Sequence, residues 1–478
     1  MNKDNILRYI GIICISLVFK GCAPALLQKT ENNSVPESYH DVQETTNTAQ
    51  ISLEEFFTDT NLITLVDIAL QNNQELNITL QEIIIAGNEV RARRGEYLPF
   101  VNLKAGAGTE KVGEFTRSGA VEKNLDIKPG EEFPETLQDY LISANVSWEV
   151  DIWKKLRNAK KAAALKYLST IEGKNFMVTK LVAEIASSYY ELMSFDNLLE
   201  AIKKYIEIQK NALEIVKLQK QAAKATELAV RKFEAEVLKN QSYQYTIEQK
   251  ITITENRINF LVGRFPQHVQ RNSQGYNDLV PDTIHAGLPS QLLTNRPDIK
   301  QAELELAAAK LDVKVARARF YPSLGITAGV GYQAFEPKYL IRPESMLYNL
   351  AGDLAVPLIN RNALKAAYCN ANAKQIQAVY NYERTILNAY IEVVNKLSNI
   401  SNLKKTYDLK AKEVEALTQS ITLADKLFKS ARADYLEVLM TQRDALQAKM
   451  ELIETKVLQM NAMISIYQAL GGGWKSIM

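Results

Sequence analysis

Leu141-Ile142-Ser143-Ala144-Asn145-Val146-Ser147-Trp148-Glu149-Val150-Asp151-Ile152-Trp153 alternates apolar and polar residues from Ile142 to Ile152. Ile142, Ala144, Val146, Trp148, Val150 and Ile152 fall on one face, and Ser143, Asn145, Ser147, Glu149 and Asp151 on the other. A period of two with one wholly apolar face predicts a strand with water on one side and something oily on the other. The next stretch of chain is different in kind. From Lys154 to Val262 there is no proline and one glycine, Gly173. Proline costs roughly 3 kcal/mol and glycine roughly 1 inside a helix, so the stretch predicts long helices.

The same design occurs a second time. Tyr348, Leu350, Leu354, Val356 and Leu358 oppose Asn349, Asp353 and Pro357, and Asn362–Leu470 contains neither glycine nor proline. An earlier strand precedes each of these. Val101, Leu103, Ala105 and Ala107 alternate with Asn102, Lys104, Gly106 and Gly108; Leu324, Ile326, Ala328, Val330 and Tyr332 alternate with Gly325, Thr327, Gly329 and Gly331. The loops Glu110–Asp139 and about Ala334–Leu347 are polar and hold prolines, as turns in water should. The domain reading is a signal peptide over 1–21, a loose tether over 22–60, and a first repeat over 61–262 with strands at about 98–109 and 141–153. An inter-repeat segment spans 263–297. The second repeat runs over 298–474, with strands at about 322–334 and 348–360 and helices over 362–470.

The helices carry a four-three apolar rhythm: Leu446, Met450, Ile453, Val457, Met460, Ile464 and Tyr467, and likewise Ile202, Ile206, Leu213 and Val216. Such spacing is the seam of a coiled coil. The seam weakens at Ala222–Glu227 and Ser430–Asp434, where small residues followed by Thr or Asp fit a tight turn and a new N-cap.

Lys3 and Arg8, the apolar run Ile10–Phe19 and then Gly21-Cys22 read as a secretory signal. The glycine-cysteine pair is similar to the lipobox of bacterial lipoproteins, with Cys22 as the lipidation site. No apolar stretch of about 18 residues follows, so any membrane crossing falls to strands. Ordinary soluble hairpins are the competing reading. Four strands cannot close in lipid, because open edges leave backbone groups unpaired. Several chains must then pool strands into one barrel of about eight or more; physics alone does not choose between two copies and three.

Cleavage before Cys22 takes the formal charge from +2 to zero, so bulk charge recruits no nucleic acid. His40, His268 and His285 have no ligand-like spacing, and Met440, Met450 and Met460 make no single stripe on a helix. The lone Cys369 reads as packed against its neighbours. No GxSxG, Walker or Rossmann fingerprint appears, so neither an enzyme nor a cofactor or metal is expected.

Asn295-Arg296-Pro297-Asp298-Ile299 with Ala302-Glu303, Ala316-Arg317-Ala318-Arg319-Phe320-Tyr321-Pro322-Ser323, Tyr435-Leu436-Glu437-Val438-Leu439 and Ala469-Leu470-Gly471-Gly472-Gly473-Trp474 occur in order. Together they resemble the outer-membrane factor family of tripartite efflux and secretion systems, the TolC and OprM type, and within it the NodT-type lipoprotein efflux branch. The resemblance implies a mainly α protein with transmembrane β-strands. It implies a homotrimer with a twelve-stranded barrel, four strands per chain, continued by a long coiled-coil helical tunnel with an internal two-fold repeat. It places the protein in the outer membrane as a passive exit duct, served by an inner-membrane pump of the RND type and a periplasmic adaptor. The adaptor would dock at tips containing Ala223, Thr226, Glu227, Ala431 and Arg432; related proteins usually have glycine at the positions of Ala223 and Ala431. Asp434, Glu437 and Met440 would line the periplasmic aperture, which opens by an iris-like movement of helices. A type I protein-secretion duct and a periplasmic coiled-coil scaffold are the alternatives.

Overall fold

The computed structural model describes residues 24–27, 29–39, 46–279, 284–430 and 432–474. The signal sequence, Cys22, His40 and Ala431 lie outside them. In chain order the elements are α1 (Leu53–Phe56), α2 (Thr60–Asn72), α3 (Gln74–Tyr97), β1 (Phe100–Glu110), α4 (Arg117–Glu122), β2 (Asp126–Lys128), β3 (Glu131–Glu132), β4 (Leu137–Val150), α5 (Lys155–Gln221) and α6 (Glu227–Leu261). The second half continues with α7 (Leu292–Asn295), α8 (Pro297–Ala318), β5 (Ser323–Ala334), β6 (Met346–Ala355), α9 (Asn362–Lys429) and α10 (Tyr435–Ala469). Corresponding helices match in length: 67 residues in α5 against 68 in α9, and 35 in both α6 and α10.

The chain forms two compact units, and neither follows the repeats. One is built around Ile84–Leu168 and Leu304–Tyr380; the other takes Glu31–Ile83, Ser169–Glu303 and the chain from Asn381. Each draws on both halves of the sequence.

The first unit contains an antiparallel sheet in the order β1-β4-β5-β6, so the two repeats meet at β4–β5. Residues paired across an antiparallel ladder point to the same side. Val101, Val146, Ala328 and Leu350 form one continuous row, and Leu103, Ala144, Val330 and Tyr348 the next. The register therefore merges four separate apolar stripes into one face. Between these rows runs Asn102, Asn145, Gly329 and Asn349, which belongs to the opposite, polar face. A Cβ at Gly329 would run into the side-chain oxygens of Asn145 and Asn349, so those side chains could not keep their present positions. β1 and β6 are the sheet's two edges, and the apolar face is bare: Leu103 is 85% exposed, Tyr348 78% and Leu350 77%.

At the strand-to-helix corners Lys154 and Asn360 both take left-handed backbone, φ 58° and 52°. Buried Asp151 accepts from the backbone N–H groups of Leu156 and Arg157 at 3.0 and 2.9 Å, satisfying the exposed start of α5. Trp153 Nε1 donates to the Pro322 carbonyl at 2.7 Å, and its ring lies 4.8 Å from that of Tyr321. Phe320 packs edge-on against Tyr368 of α9, centroids 5.8 Å apart. With Tyr368 turned inward, the next residue, Cys369, is carried outward. It is exposed, correcting the expectation that it would be packed.

The second unit holds the main apolar core. Ile185, Tyr189, Leu192, Met193 and Ile202 of α5 pack there with Leu62 and Val66 of α2, Ile247 and Ile258 of α6, and Leu446, Ile453, Met460 and Ile464 of α10. Described parts of the segment expected as a loose tether over 22–60 are packed against the helices. Within the first unit, Asn372 and Gln375 of α9 donate to the carbonyls of Leu27 and Lys29, both at 3.1 Å. Within the second, Tyr39 is buried and stacks on Tyr390 at 5.5 Å, while Leu53 and Phe57 enter the core. Ser52 and Glu55 form a capping box on α1. Helix amides and aromatic rings satisfy an extended segment whose polar composition gave no hint of a docking groove.

Candidate aperture and docking tips

Each long helical stretch breaks once, without glycine or proline. After α5, Ala222 N–H donates to Leu218 O at 3.1 Å, Ala223 to Lys220 O at 2.9 Å and Lys224 to Gln219 O at 2.7 Å. This wraps the helix end through a left-handed residue, and Ala223 takes it at φ 54°. Thr226 then caps α6, its Oγ1 accepting from Ala229 N–H at 3.2 Å. At the second break Arg432 N–H reaches back five residues to Leu427 O at 2.9 Å, as Lys224 does to Gln219. Asp434 holds the N-cap position with extended backbone but makes no side-chain cap bond.

The two breaks share an apolar cluster. Leu213 and Val216 of α5, Ala229, Val230, Phe233 and Val237 of α6 and Leu439 of α10 pack together, with Ala225 and Tyr435 against them. The expected docking residues Ala223, Thr226, Glu227 and Arg432 are all exposed around it. Glu227 is not a free carboxylate. It is ion-paired to Lys220 and, at 2.9 Å, to Arg231; the Lys220 hydrogen bond foremost holds it below the usual glutamate range. Leu228 and Leu436 occupy the second position of α6 and α10, and both are exposed. Both lie within the tips that the resemblance leads one to expect, two residues past the N-cap.

Asp434, Glu437 and Met440 are exposed, while Val438, Leu439 and Gln442 are buried. At 100° per residue the three span an arc of about 120°, so one free stripe carries all of them. Glu437 lies in the first turn of α10, where the helix dipole favours an anion. Farther along α10, Glu451 is ion-paired to Lys410 of α9, a link across 41 residues that no local spacing announces.

Two motifs distant in sequence meet in the second unit. Arg296 is almost fully buried; its Nε and NH2 donate to Asp298 at 2.9 and 2.7 Å, and its NH1 to Glu392 at 2.8 Å and the Ala469 carbonyl at 2.7 Å. Burial pulls its pKa down, but Asp298 and Glu392 outweigh that and hold it above its ordinary value. Gly471, φ 88°, sits where a Cβ would strike the Asn295 carbonyl, which also accepts from Trp474 Nε1 at 3.3 Å. The Asn295–Arg296 motif is thus the seat of the Ala469–Trp474 motif.

A fold with paired long helical hairpins, a sheet finished on neither edge and a bare apolar face is that of an outer-membrane channel. Residues 65–264 and 288–472 match the model of the outer membrane efflux protein family, and the chain belongs to that family. It is 27% identical over 428 residues to the solvent efflux pump outer membrane protein SrpC of Pseudomonas putida, covering 89% of this chain and 88% of that one. Against the cation efflux system protein CusC of Escherichia coli O6:H1 it is 26% identical over 467 residues, 97% of this chain and 98% of the relative. The fold also superposes on the outer membrane channel MtrE of Neisseria gonorrhoeae, solved in its open state. There the TM-score is 0.82 at 21% identity, over 95% of this chain and 99% of that one. The protein is an outer membrane efflux protein, located in that membrane.

Proposed function

We propose that three copies close their sheets into one twelve-stranded barrel, β6 of each pairing with β1 of the next, and that their helices continue it as a water-filled tunnel. The carrying observation is the register that collects every apolar stripe on one face while leaving both edges open. Unpaired backbone is untenable in lipid, and an even number of alternating strands closes antiparallel. In this assembly the protein is a passive exit duct for small molecules. An inner-membrane pump of the RND type supplies the energy, and a periplasmic adaptor seats on the tips around Ala223, Thr226, Glu227 and Arg432. Relatives of nearly equal identity are named for solvents and for cations, which supports a duct whose cargo is chosen elsewhere.

Three Glu437 carboxylates around the axis would repel one another and attract cations. In planar bilayers the purified full chain should form a cation-preferring pore, and Glu437→Gln should weaken that preference and the block by divalent ions. Unchanged selectivity and block would remove Glu437 from the lumen. A detergent-free, water-soluble single copy would remove the duct itself and favour the scaffold.

A further inference from the structure

Where the strands give way to helices, the first unit holds an open cavity of about 700 Å³. Its walls come from α3, the β4–α5 corner, the α8–β5 corner, the end of β6 and the start of α9. One chain supplies all of them. Glu149 and Ser323 line the cavity and stand an even number of residues from Asn145 and Gly329. Side chains alternate along a strand, so both belong to the polar face of the sheet, and the cavity lies at the end of that face.

Six charged side chains line it, and five of them are paired. Glu96 meets Arg93 at 3.0 Å, Glu149 meets Lys155, and Asp151 meets Arg157 of α5 at 3.1 Å. The sixth, Arg319, is exposed and has no ion-pair partner among the described residues. The rest of the lining is largely apolar. The Trp153 ring lies over that of Tyr321 at a tilt of 32°, and its Nε1 is already given to the Pro322 carbonyl, so the indole offers the cavity only apolar surface. Val315, Val356 and Leu364 add aliphatic wall.

We infer that this cavity binds a small organic anion, its carboxylate, sulfonate or phosphate head on Arg319 and its apolar body against Trp153, Tyr321 and the aliphatic wall. The planar guanidinium fork matches such heads with two parallel charge-assisted hydrogen bonds. Small-molecule sites are mostly apolar with a few placed polar groups and occupy about 300–1,000 Å³, which this cavity satisfies. An organic cation of the same shape meets the same wall but no free carboxylate, because Glu96, Glu149 and Asp151 are each paired. An inorganic anion meets Arg319 but gains nothing from the wall. In the proposed trimer the polar face is the lumen, so three such cavities stand in the wall of the duct. That placement rests on the duct reading; the site itself needs only one chain.

The test titrates naphthalenesulfonate calorimetrically into the purified full chain in nonionic detergent, with sulfate and naphthyltrimethylammonium as comparison ions. Expected is one saturable site per chain for naphthalenesulfonate and none at the same concentrations for the other two. Arg319→Gln should weaken it roughly tenfold or more, the scale of one hydrogen bond between charged groups. Lys104→Gln should leave it unchanged, since Lys104 is a cation on the same sheet face but outside the cavity. No saturable site, equal affinity for the naphthyl cation, indifference to Arg319→Gln or equal loss with Lys104→Gln would each overturn the inference. Pore formation by the same preparation in planar bilayers separates the two readings. Pores without the site would overturn the inference and leave the duct standing; the site without pores would overturn its place in a duct wall.

Discussion

Leu350→Arg separates a lipid-facing strand from a soluble one. Leu350 lies at the middle of β6, in the apolar row with Val101, Val146 and Ala328, and is 77% exposed in the single chain. If that face met water, exchanging one exposed side chain for another would change stability by no more than about 0.5 kcal/mol. If it meets lipid at mid-depth, each arginine costs about 2–4 kcal/mol, hence roughly 6–12 for three copies. Asn349→Arg is the control, one residue away on the polar face, which the proposed barrel turns to its lumen. The assay is the yield of heat-modifiable trimer in the outer-membrane fraction, with urea unfolding of reconstituted protein for the free energy. Leu350→Arg should lose most of the trimer, while Asn349→Arg should insert normally and lower cation conductance. Equal tolerance of both, or loss with Asn349→Arg alone, would refute the assignment of faces and with it the barrel.

Ala223→Gly relieves a left-handed residue of its Cβ penalty and should stabilise the first tip by about 1 kcal/mol, read as slower hydrogen exchange of the Ala222–Lys224 amides. Thr226→Ala removes the only side-chain cap of α6 and should cost about 1 kcal/mol by the same measurement. Arg296→Met leaves Asp298 and Glu392 without their partner and should cost about 3 kcal/mol or more, seen as loss of folded trimer. The Lys410 hydrogen bond, then that of Gln447, holds Glu451 below the ordinary glutamate range. A lowered folded-state pKa contributes stability above the unfolded value, and the contribution goes as pH falls through the lowered one. Glu451→Gln should therefore unfold earlier than wild type at pH 7, and the difference should shrink as pH falls below the ordinary glutamate value and vanish only below the lowered folded-state one, by thermal melts. The pair is partly exposed, so the difference at pH 7 should be small.

The strands and helices were legible because their periods are uninterrupted: Ile142 to Ile152 never breaks step, and α9 contains no residue that would stop it. The two helical breaks were legible for a subtler reason, a lapse in the seam followed by Thr226 or Asp434. Only Thr226 uses its side chain as a cap, a distinction composition cannot make. The register was hidden, since pairing Ala144 with Val330 joins strands from the two halves of the sequence. So was the docking of the N-terminal segment, whose anchors Asn372, Gln375 and Tyr390 are more than 340 residues away. At the tips the exposed stripe followed from the seam, but the pairing of Glu227 with Lys220 did not, because a bent chain brings Lys220 near.

The near-equal lengths of paired helices make each chain two copies of one hairpin, yet the third residue of α6 is buried Ala229 and that of α10 is exposed Glu437. A ring assembled from identical halves would have six equivalent hairpins and could relax only as a whole. Fusion of two halves in one gene lets mutation reach one without the other. In the proposed trimer, three capped, ion-paired hairpins would serve as fixed posts, while the three beside them, with no side-chain cap from Asp434 and with Glu437 exposed, would keep the slack that a moving part needs.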